Sequence, residues 1–334
     1  MISILSATTA ATLSPKAKPL VVSSKIFSQD HIPRSFHYEQ PERIGVCLEM
    51  LDSLQDAIDY RLPTGETSEG RKEEALQEVI YKVHDADYIA EVEMLCKKGA
   101  RLLSPWDSDT YISKNSFDVC VLAQTAWMDG IDHILEAKEE ARTAFAVTRP
   151  PGHHAVKSSS QGFCIFNFAV GAATYALSKG INKIGIIDFD VHFGNGVADL
   201  VAGNEKIRYT SLHQYGIFPN EGQGGETDGN IYNIELPLGT NGESYLPLFK
   251  EKAILYIKDF NPDMLIVCAG YDALSKDPLA DMNLEPKDYG ELAKVIRETF
   301  GDIPTLYGLE GGYDLETLPL ALKETINVYL DNSS

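Results

Sequence analysis

Apolar residues in the first third of the chain recur at helical spacing. Pro41 to Ile58 opens with Pro-Glu and carries Ile44, Cys47, Leu48, Leu51 and Leu54 three or four positions apart, which predicts an amphipathic helix. Ala86 to Lys98 and Phe117 to Ala141 read the same way. Ahead of them, Pro19 to Phe27 is the first strand-like run, and Gly65 to Lys72 is polar enough to read as a surface loop.

From Thr143 onward the period switches back and forth. Strand patterns fall at Thr143 to Val147, Lys183 to Asp190, Ile207 to Leu212, Met264 to Ala269 and Thr305 to Leu309. Helical patterns fall at Asn167 to Ser178, Gly194 to Val201, Glu243 to Phe260, Lys287 to Phe300 and Leu315 to Leu330. Short apolar runs alternating with amphipathic ones predict an α/β fold with a central, mostly parallel sheet covered by helices on both faces. No repeat or long linker divides the chain, so residues 20–331 read as one domain behind an N-terminal extension, 1–19.

Composition narrows the class. With 334 residues, 44% hydrophobic and 23% charged, the chain can bury a large core, and wholesale disorder is excluded. A formal net charge of −20 repels phosphate backbones, which argues against direct nucleic-acid binding and suits a basic or cationic substrate; it also serves plain solubility. The five cysteines form no CxxC pair, so neither a disulfide framework nor a cysteine zinc site is expected, and a reducing intracellular compartment, the cytoplasm first, is the natural location. No apolar run approaches the ~18 residues a membrane span needs. Residues 1 to 29 lack Asp and Glu, are rich in Ser, Thr and Ala, and carry Lys16, Lys18 and Lys25, a composition that keeps an organelle (plastid or mitochondrial) leader as the alternative to a frayed terminus.

Candidate chemistry gathers after strands. In Asp188-Phe189-Asp190-Val191-His192, extended residues two apart face the same way, and carboxylate plus imidazole is a zinc-ligating set. A catalytic zinc takes three protein ligands, and Asp277 in Lys276-Asp277-Pro278 can supply the third. The same residues could instead be a polar strand end with capping carboxylates. Gly152-His153-His154 follows Pro-Pro on a stiff turn, placing two imidazoles where one can serve as base and the other as proton carrier, although a buried or ligating pair is also open. Glu310-Gly311-Gly312-Tyr313 brings a phenol that can donate to an oxyanion, or is an ordinary glycine turn. Phe163 and Phe218 can wall an apolar channel or belong to the core. In open parallel sheets, ligands bind beyond the carboxyl ends of the strands, so these loops can converge on one site.

Taken together, Arg149 to Ala155, Gly162 to Asn167, Asp188 to Gly196, Ser211 to His213, Ala269 to Leu279 and Glu310 to Tyr313, with Tyr38 to Arg43 and Asp109 to Tyr111, resemble the histone deacetylase and acetylpolyamine amidohydrolase superfamily, in its class II-like form, over roughly residues 20 to 330. The resemblance implies an arginase-like fold, one zinc ion per chain and hydrolysis of an acylated amine, with acetyl-lysine preferred over acetylpolyamines and a catalytically dead binding module as the remaining alternative. By position it assigns Asp190, His192 and Asp277 to zinc, and His153 and His154 to proton transfer with Asp188 and Asn195 as their partners. It assigns Tyr313 to the oxyanion. Gly162, Phe163, Phe218 and, near the rim, Leu279 and Leu284 would contact substrate, while Glu285 could meet a polyamine. A structural potassium ion would lie at Asp188, Ser211 and Leu212, with the Asp190 and His192 backbone. Phe193, Phe168 and the stretch Asn220 to Gly229 depart from the family pattern.

Overall fold

The computed structural model describes residues 18–104, 107–137, 142–301 and 303–330. The extension therefore lies, but for its last two positions, outside the described residues, as do residue 331 of the expected domain and the last four positions of the expected Phe117 to Ala141 helix.

Among the described residues eleven strands form: β1 (Leu20–Val22), β2 (Asp59–Arg61), β3 (Leu102–Ser104), β4 (Asp107–Tyr111), β5 (Thr143–Ala146), β6 (Ile184–Asp188), β7 (Ile207–Gln214), β8 (Gly225–Thr227), β9 (Ile231–Leu236), β10 (Met264–Ala269) and β11 (Thr305–Leu309). Nine build one sheet in the order β2-β1-β5-β11-β10-β6-β7-β9-β8. Every neighbouring pair in it is parallel except the edge pair β8–β9. The expected α/β architecture is thus observed. β6, β10 and β11 are buried along their whole length, which explains why they read as unbroken apolar runs rather than alternating ones.

The helices pack around this sheet with locally encoded ends. Pro286–Phe300 starts at a capping box between Glu285 and Asp288, with Pro at its first turn. Asn167 caps Phe168–Ser178 by accepting from the Val170 amide at 3.1 Å. Among the described residues no helix is long and apolar enough to cross a membrane.

One expectation fails. Gly65 to Lys72 is not a loop: Thr64–Glu66 is a 3-10 turn, and Ser68 caps the helix Glu69–Glu74 by accepting from Arg71 N at 3.2 Å. Its polarity has a use in the fold, because Arg71 reaches Asp129 at 3.0 Å and Asp132 at 2.7 Å and pins this helix to the long helix Ser116–Glu136.

Candidate active site

Five strands that are adjacent in the sheet, β5, β11, β10, β6 and β7, send their carboxyl ends to one place. The turn after β5 carries His153 and His154. Asp188 closes β6 and leads into Asp190 and His192. Ser211, Leu212 and His213 end β7, Asp272 follows β10, and Glu310 to Tyr313 follow β11.

The two histidines are held by different partners. His153 Nδ1 donates to Asp188 Oδ2 at 3.0 Å, and its Nε2 lies 3.6 Å from Asp190 Oδ1. His154 Nδ1 donates to Asn195 Oδ1 at 2.7 Å. A carboxylate partner and an amide partner separate their protonation. Burial alone would lower His153, but the Asp190 and Asp188 carboxylates outweigh it and raise the pKa to about 10. Burial, and then the charges of His153 and His192, hold His154 well below its ordinary value. A bound cation beside Asp190 and His192 would pull His153 down as well.

Asp190, His192 and Asp272 bring ligand atoms within 4.8 Å of one another. His192 Nδ1 donates to Asp190 Oδ1 at 3.1 Å and to Asp272 Oδ2 at 3.0 Å. Asp190 Oδ2 accepts from Gly311 N at 2.8 Å. A side chain at Gly311 would run into the carboxylates of Asp190 and Asp272, so a glycine is required for that approach. Asp277, expected as the third ligand, is not in this group. It stands beside it, accepting from Leu279 N at 2.9 Å and from Tyr313 N at 2.7 Å. Burial and then Asp272 push Asp277 up to about 8, and burial and then Asp190 push Asp272 up to about 6. Crowded buried carboxylates of this kind are what a divalent cation relieves, and oxygen plus imidazole donors suit zinc.

His192, His154 and Tyr313 open onto a cavity of about 230 Å³ walled by Phe163, Ile217, Phe218 and Leu279, with Gly162 and Asp109 also lining it. Gly162 has φ 55°, and a Cβ there would collide with the His154 ring and lie 2.8 Å from Phe218. The Phe163 ring meets the edge of Tyr313 at 5.6 Å. Leu284 does not line this cavity: it is buried in the core, with its amide donating to Ala273 O at 3.0 Å, and Leu279 takes the position expected of it. Glu285 is likewise spent elsewhere, as helix cap and acceptor from Ser275 Oγ at 2.9 Å.

Asp188 lies directly across from Ser211 in the β6–β7 register, and Leu212 follows it, so the positions expected around potassium are neighbours in the sheet. Ser211 Oγ donates to His213 Nδ1 at 2.9 Å, and Tyr209 OH donates to Asp188 Oδ2 at 2.9 Å. Phe193 packs on the His213 ring at 5.0 Å and against Gly222, filling space rather than offering a polar atom. Phe168 is also core, beside Trp127.

Sequence reasoning missed two contributors. Asp272 closes the group around His192; its only signal was a carboxylate right after a buried strand. Arg43 is fully buried and donates to Glu310 O at 2.6 Å and Gly312 O at 2.7 Å, with its guanidinium 4.8 Å from the Tyr313 ring centre. It fixes the turn that presents Tyr313, yet in sequence it is one cation on an amphipathic helix.

A family model described as "Histone deacetylase domain" matches residues 37–329. An uncharacterised protein of Synechocystis sp. is 41% identical, the match covering 76% of this chain and 82% of that protein. Histone deacetylase 10, chloroplastic, of Oryza sativa subsp. japonica is 30% identical over 89% of this chain and 70% of its own length. Histone deacetylase 14, chloroplastic, of Arabidopsis thaliana is 32% identical over 78% and 65%. The crystal structure of the HDA15 HD domain superposes with a TM-score of 0.82 at 26% identity, covering 95% of this chain and 90% of that one.

Proposed function

The chain belongs to the histone deacetylase family, and on that premise we propose that it is a zinc-dependent deacylase that hydrolyses the amide of an acylated lysine side chain to a carboxylate and a free amine. The observation that carries this reading is the convergence of His192, His154 and Tyr313 on one narrow apolar cavity, with His154 Nδ1 already committed to Asn195 and that of its neighbour His153 to Asp188.

Asp190 and His192 would hold the metal, with the third ligand either Asp277 or Asp272. Asp277 is the better candidate, because it retains 7% exposure beside His192, whereas Asp272 is fully buried and holds the His192 Nδ1. When bound, zinc supplies a Lewis acid for the acyl oxygen and lowers the pKa of water. The chain's residues do the rest. With Nδ1 fixed on Asp188 or Asn195, each imidazole has only Nε2 left for proton transfer. One takes the proton of the attacking water, and His154, which faces the cavity, returns a proton to the departing amine. Burial keeps the Tyr313 phenol protonated, so it is a donor to the oxygen that becomes negative. Phe163 and Phe218 exclude water and hold an unbranched alkyl chain between their rings.

Acylated polyamines are the second reading, favoured by Asp109, an exposed carboxylate lining the cavity. Potassium at Asp188, Ser211 and Leu212 is proposed on the same footing as zinc. The two chloroplastic relatives support a plastid location over a cytoplasmic one. The test is deacylation by metal-loaded protein on a panel of acetyl-lysine peptide, acetylspermidine and longer acyl-lysines, in wild type, Tyr313→Phe and His154→Ala. Tyr313→Phe should lower kcat by roughly 100-fold or more, and His154→Ala by a similar factor. Near-normal rates in both, in protein that binds about one zinc per chain, reject the mechanism; two manganese ions per chain would point to arginase-type chemistry instead.

A further inference from the structure

The turn that carries both histidines, residues 152–155, has few strong bonds of its own. Ala155 N donates to Gly152 O at 3.1 Å, and His154 N donates to Cys164 Sγ, a weak acceptor, at 3.4 Å. The other two amides, Gly152 N and His153 N, both donate to one oxygen, Glu310 Oε2, at 2.6 Å and 3.0 Å. Glu310 is fully buried, and its Oε1 has no hydrogen-bond partner among the described residues, so the side chain serves the turn alone. From the other side the turn is backed by the chain at Phe166 and Phe168, which a Cβ on Gly152 would strike. Two bonds to a charged acceptor on one face and a packed backbone on the other leave the turn little freedom.

We propose that Glu310 is a positioning residue for proton transfer, fixing His153 and His154 against Asp190 and the oxyanion donor Tyr313. The inference rests on the deacylase reading and adds to it a residue that reading gives no task. The backbone of Glu310 is itself fixed, its N donating to Ala269 O at 3.0 Å and its O accepting from Arg43 Nη2 at 2.6 Å. The next amide, Gly311 N, reaches Asp190 Oδ2 at 2.8 Å, and Tyr313 follows two positions on. One turn after β11 therefore carries the oxyanion donor, holds a carboxylate of the metal group and, through the Glu310 side chain, holds the proton carriers on the loop after β5. Groups on separate loops keep their spacing only if such a link is stiff, and a misplacement of about 1 Å costs roughly 100-fold in rate. A neutral amide carbonyl can accept the same two bonds less tightly, and an apolar side chain of the same length cannot accept them at all.

The test compares Glu310→Met, which removes the acceptor at nearly constant length, with Glu310→Gln, which keeps a carbonyl in its place. In the zinc-loaded full chain acting on an acetyl-lysine peptide, Glu310→Met should lower kcat roughly 100-fold, with KM and zinc content within about twofold of wild type. Glu310→Gln should recover all but about tenfold of that loss. The imidazole N–H resonances of His153 and His154, assigned by single-histidine substitution, should shift or broaden in Glu310→Met and return in Glu310→Gln. That spectrum needs no substrate: a wild-type chain without deacylase activity rejects the deacylase reading, while the resonances still decide the placement. If Glu310→Met does not fold, Glu310→Asp takes its place, because it keeps the charge and withdraws the oxygen by one methylene; kcat should fall at unchanged zinc content. Rates within about threefold of wild type in the variant used, equal losses in it and in Glu310→Gln, or resonances that do not move would each overturn the proposal. So would zinc and KM lost in step with kcat, the result of a general loosening of the fold.

Discussion

Two clusters of buried charge meet at the Glu310–Tyr313 turn, and they are built in opposite ways. In the first, Glu39 sits between two guanidinium groups. Its Oε1 accepts from Arg149 Nε at 2.8 Å and Arg43 Nη1 at 3.3 Å, and its Oε2 from Arg149 Nη2 at 2.9 Å and Tyr111 OH at 3.0 Å. Arg149 spends its remaining donors on the Phe27 and His31 carbonyls, both at 2.7 Å, and on Tyr111 OH. In the second, Asp190 and Asp272 crowd around His192 with Asp277 beside them, and among the described residues no guanidinium is a hydrogen-bond partner of the three. The turn between them is divided accordingly: the Glu310 and Gly312 carbonyls point to Arg43, and the Gly311 and Tyr313 amides point to Asp190 and Asp277. The pKa directions record the contrast. Burial would raise Glu39, yet Arg149 holds it well below the carboxylate range; in the second cluster burial is outweighed only at Asp190, which His153 and His192 lower, whereas Asp272 and Asp277 stay raised. A fully paired cluster is structure; a cluster short of positive charge is a place for a cation.

The largest effect should come from unbalancing the paired cluster. Glu39→Gln leaves Arg149 and Arg43 buried without their carboxylate, and breaking a buried pair from one side costs about 3–5 kcal/mol. A fall in thermal midpoint of several degrees is expected, with activity lost alongside because Arg43 no longer holds the Tyr313 turn. A variant as stable as wild type would show that the cluster does not anchor the fold.

The next effect, about 2 kcal/mol, separates the clusters by the sign of their pH dependence. Asp277 has its folded pKa raised to about 8, against about 3.9 in an unfolded chain. Below the lower value both states are protonated. Between the two, the folded state keeps a proton that the unfolded chain has released, so metal-free protein loses stability as pH rises through this window. Glu39, with its folded pKa depressed, contributes stability that is fully present above the unfolded value and is lost only as pH falls below it. Metal ligands bind deprotonated. The gap in thermal midpoint between zinc-loaded and metal-free protein should therefore widen from pH 6 to pH 8. A gap that narrows would contradict the assignment of the crowded carboxylates to a cation site.

How much of this was legible in the sequence follows from how local each signal is. The buried strands β6, β10 and β11 announce themselves as apolar runs, and Asp188, Asp190 and His192 announce themselves by period two at a strand end. The pairing of His154 with Asn195 followed only from the family resemblance. Glu39, Arg43 and Arg149 did not stand out as a cluster, because the bonds from Arg149 to Glu39 and from Arg43 to the Gly312 carbonyl span more than 100 residues and each side chain alone is an ordinary charge. Leu284 was misplaced for a related reason: a leucine near a functional loop carries no mark of which side of the loop it packs on. Gly65 to Lys72 failed because polar composition resembles a loop until the partners of Arg71 are known.

The smallest expected effect on stability is the sharpest discriminator between the clusters. In metal-free protein at pH 6, Asp277 is already largely protonated, so Asp277→Asn exchanges one neutral acceptor for another and should shift stability by less than about 1 kcal/mol. Asn can still accept from the Tyr313 amide. Zinc affinity, by contrast, should fall about 10-fold or more, because a carboxylate is lost from the ion's surroundings. The midpoint gap between metal-free and zinc-loaded protein should then lose most of its rise with pH. Asp272→Asn supplies the comparison: as the carboxylate that positions His192 and accepts from Val191 N, it should weaken zinc less and metal-free stability more. If the two variants reverse that order, Asp272 is the third ligand, and the group drawn together around His192 in the metal-free protein is itself the metal site.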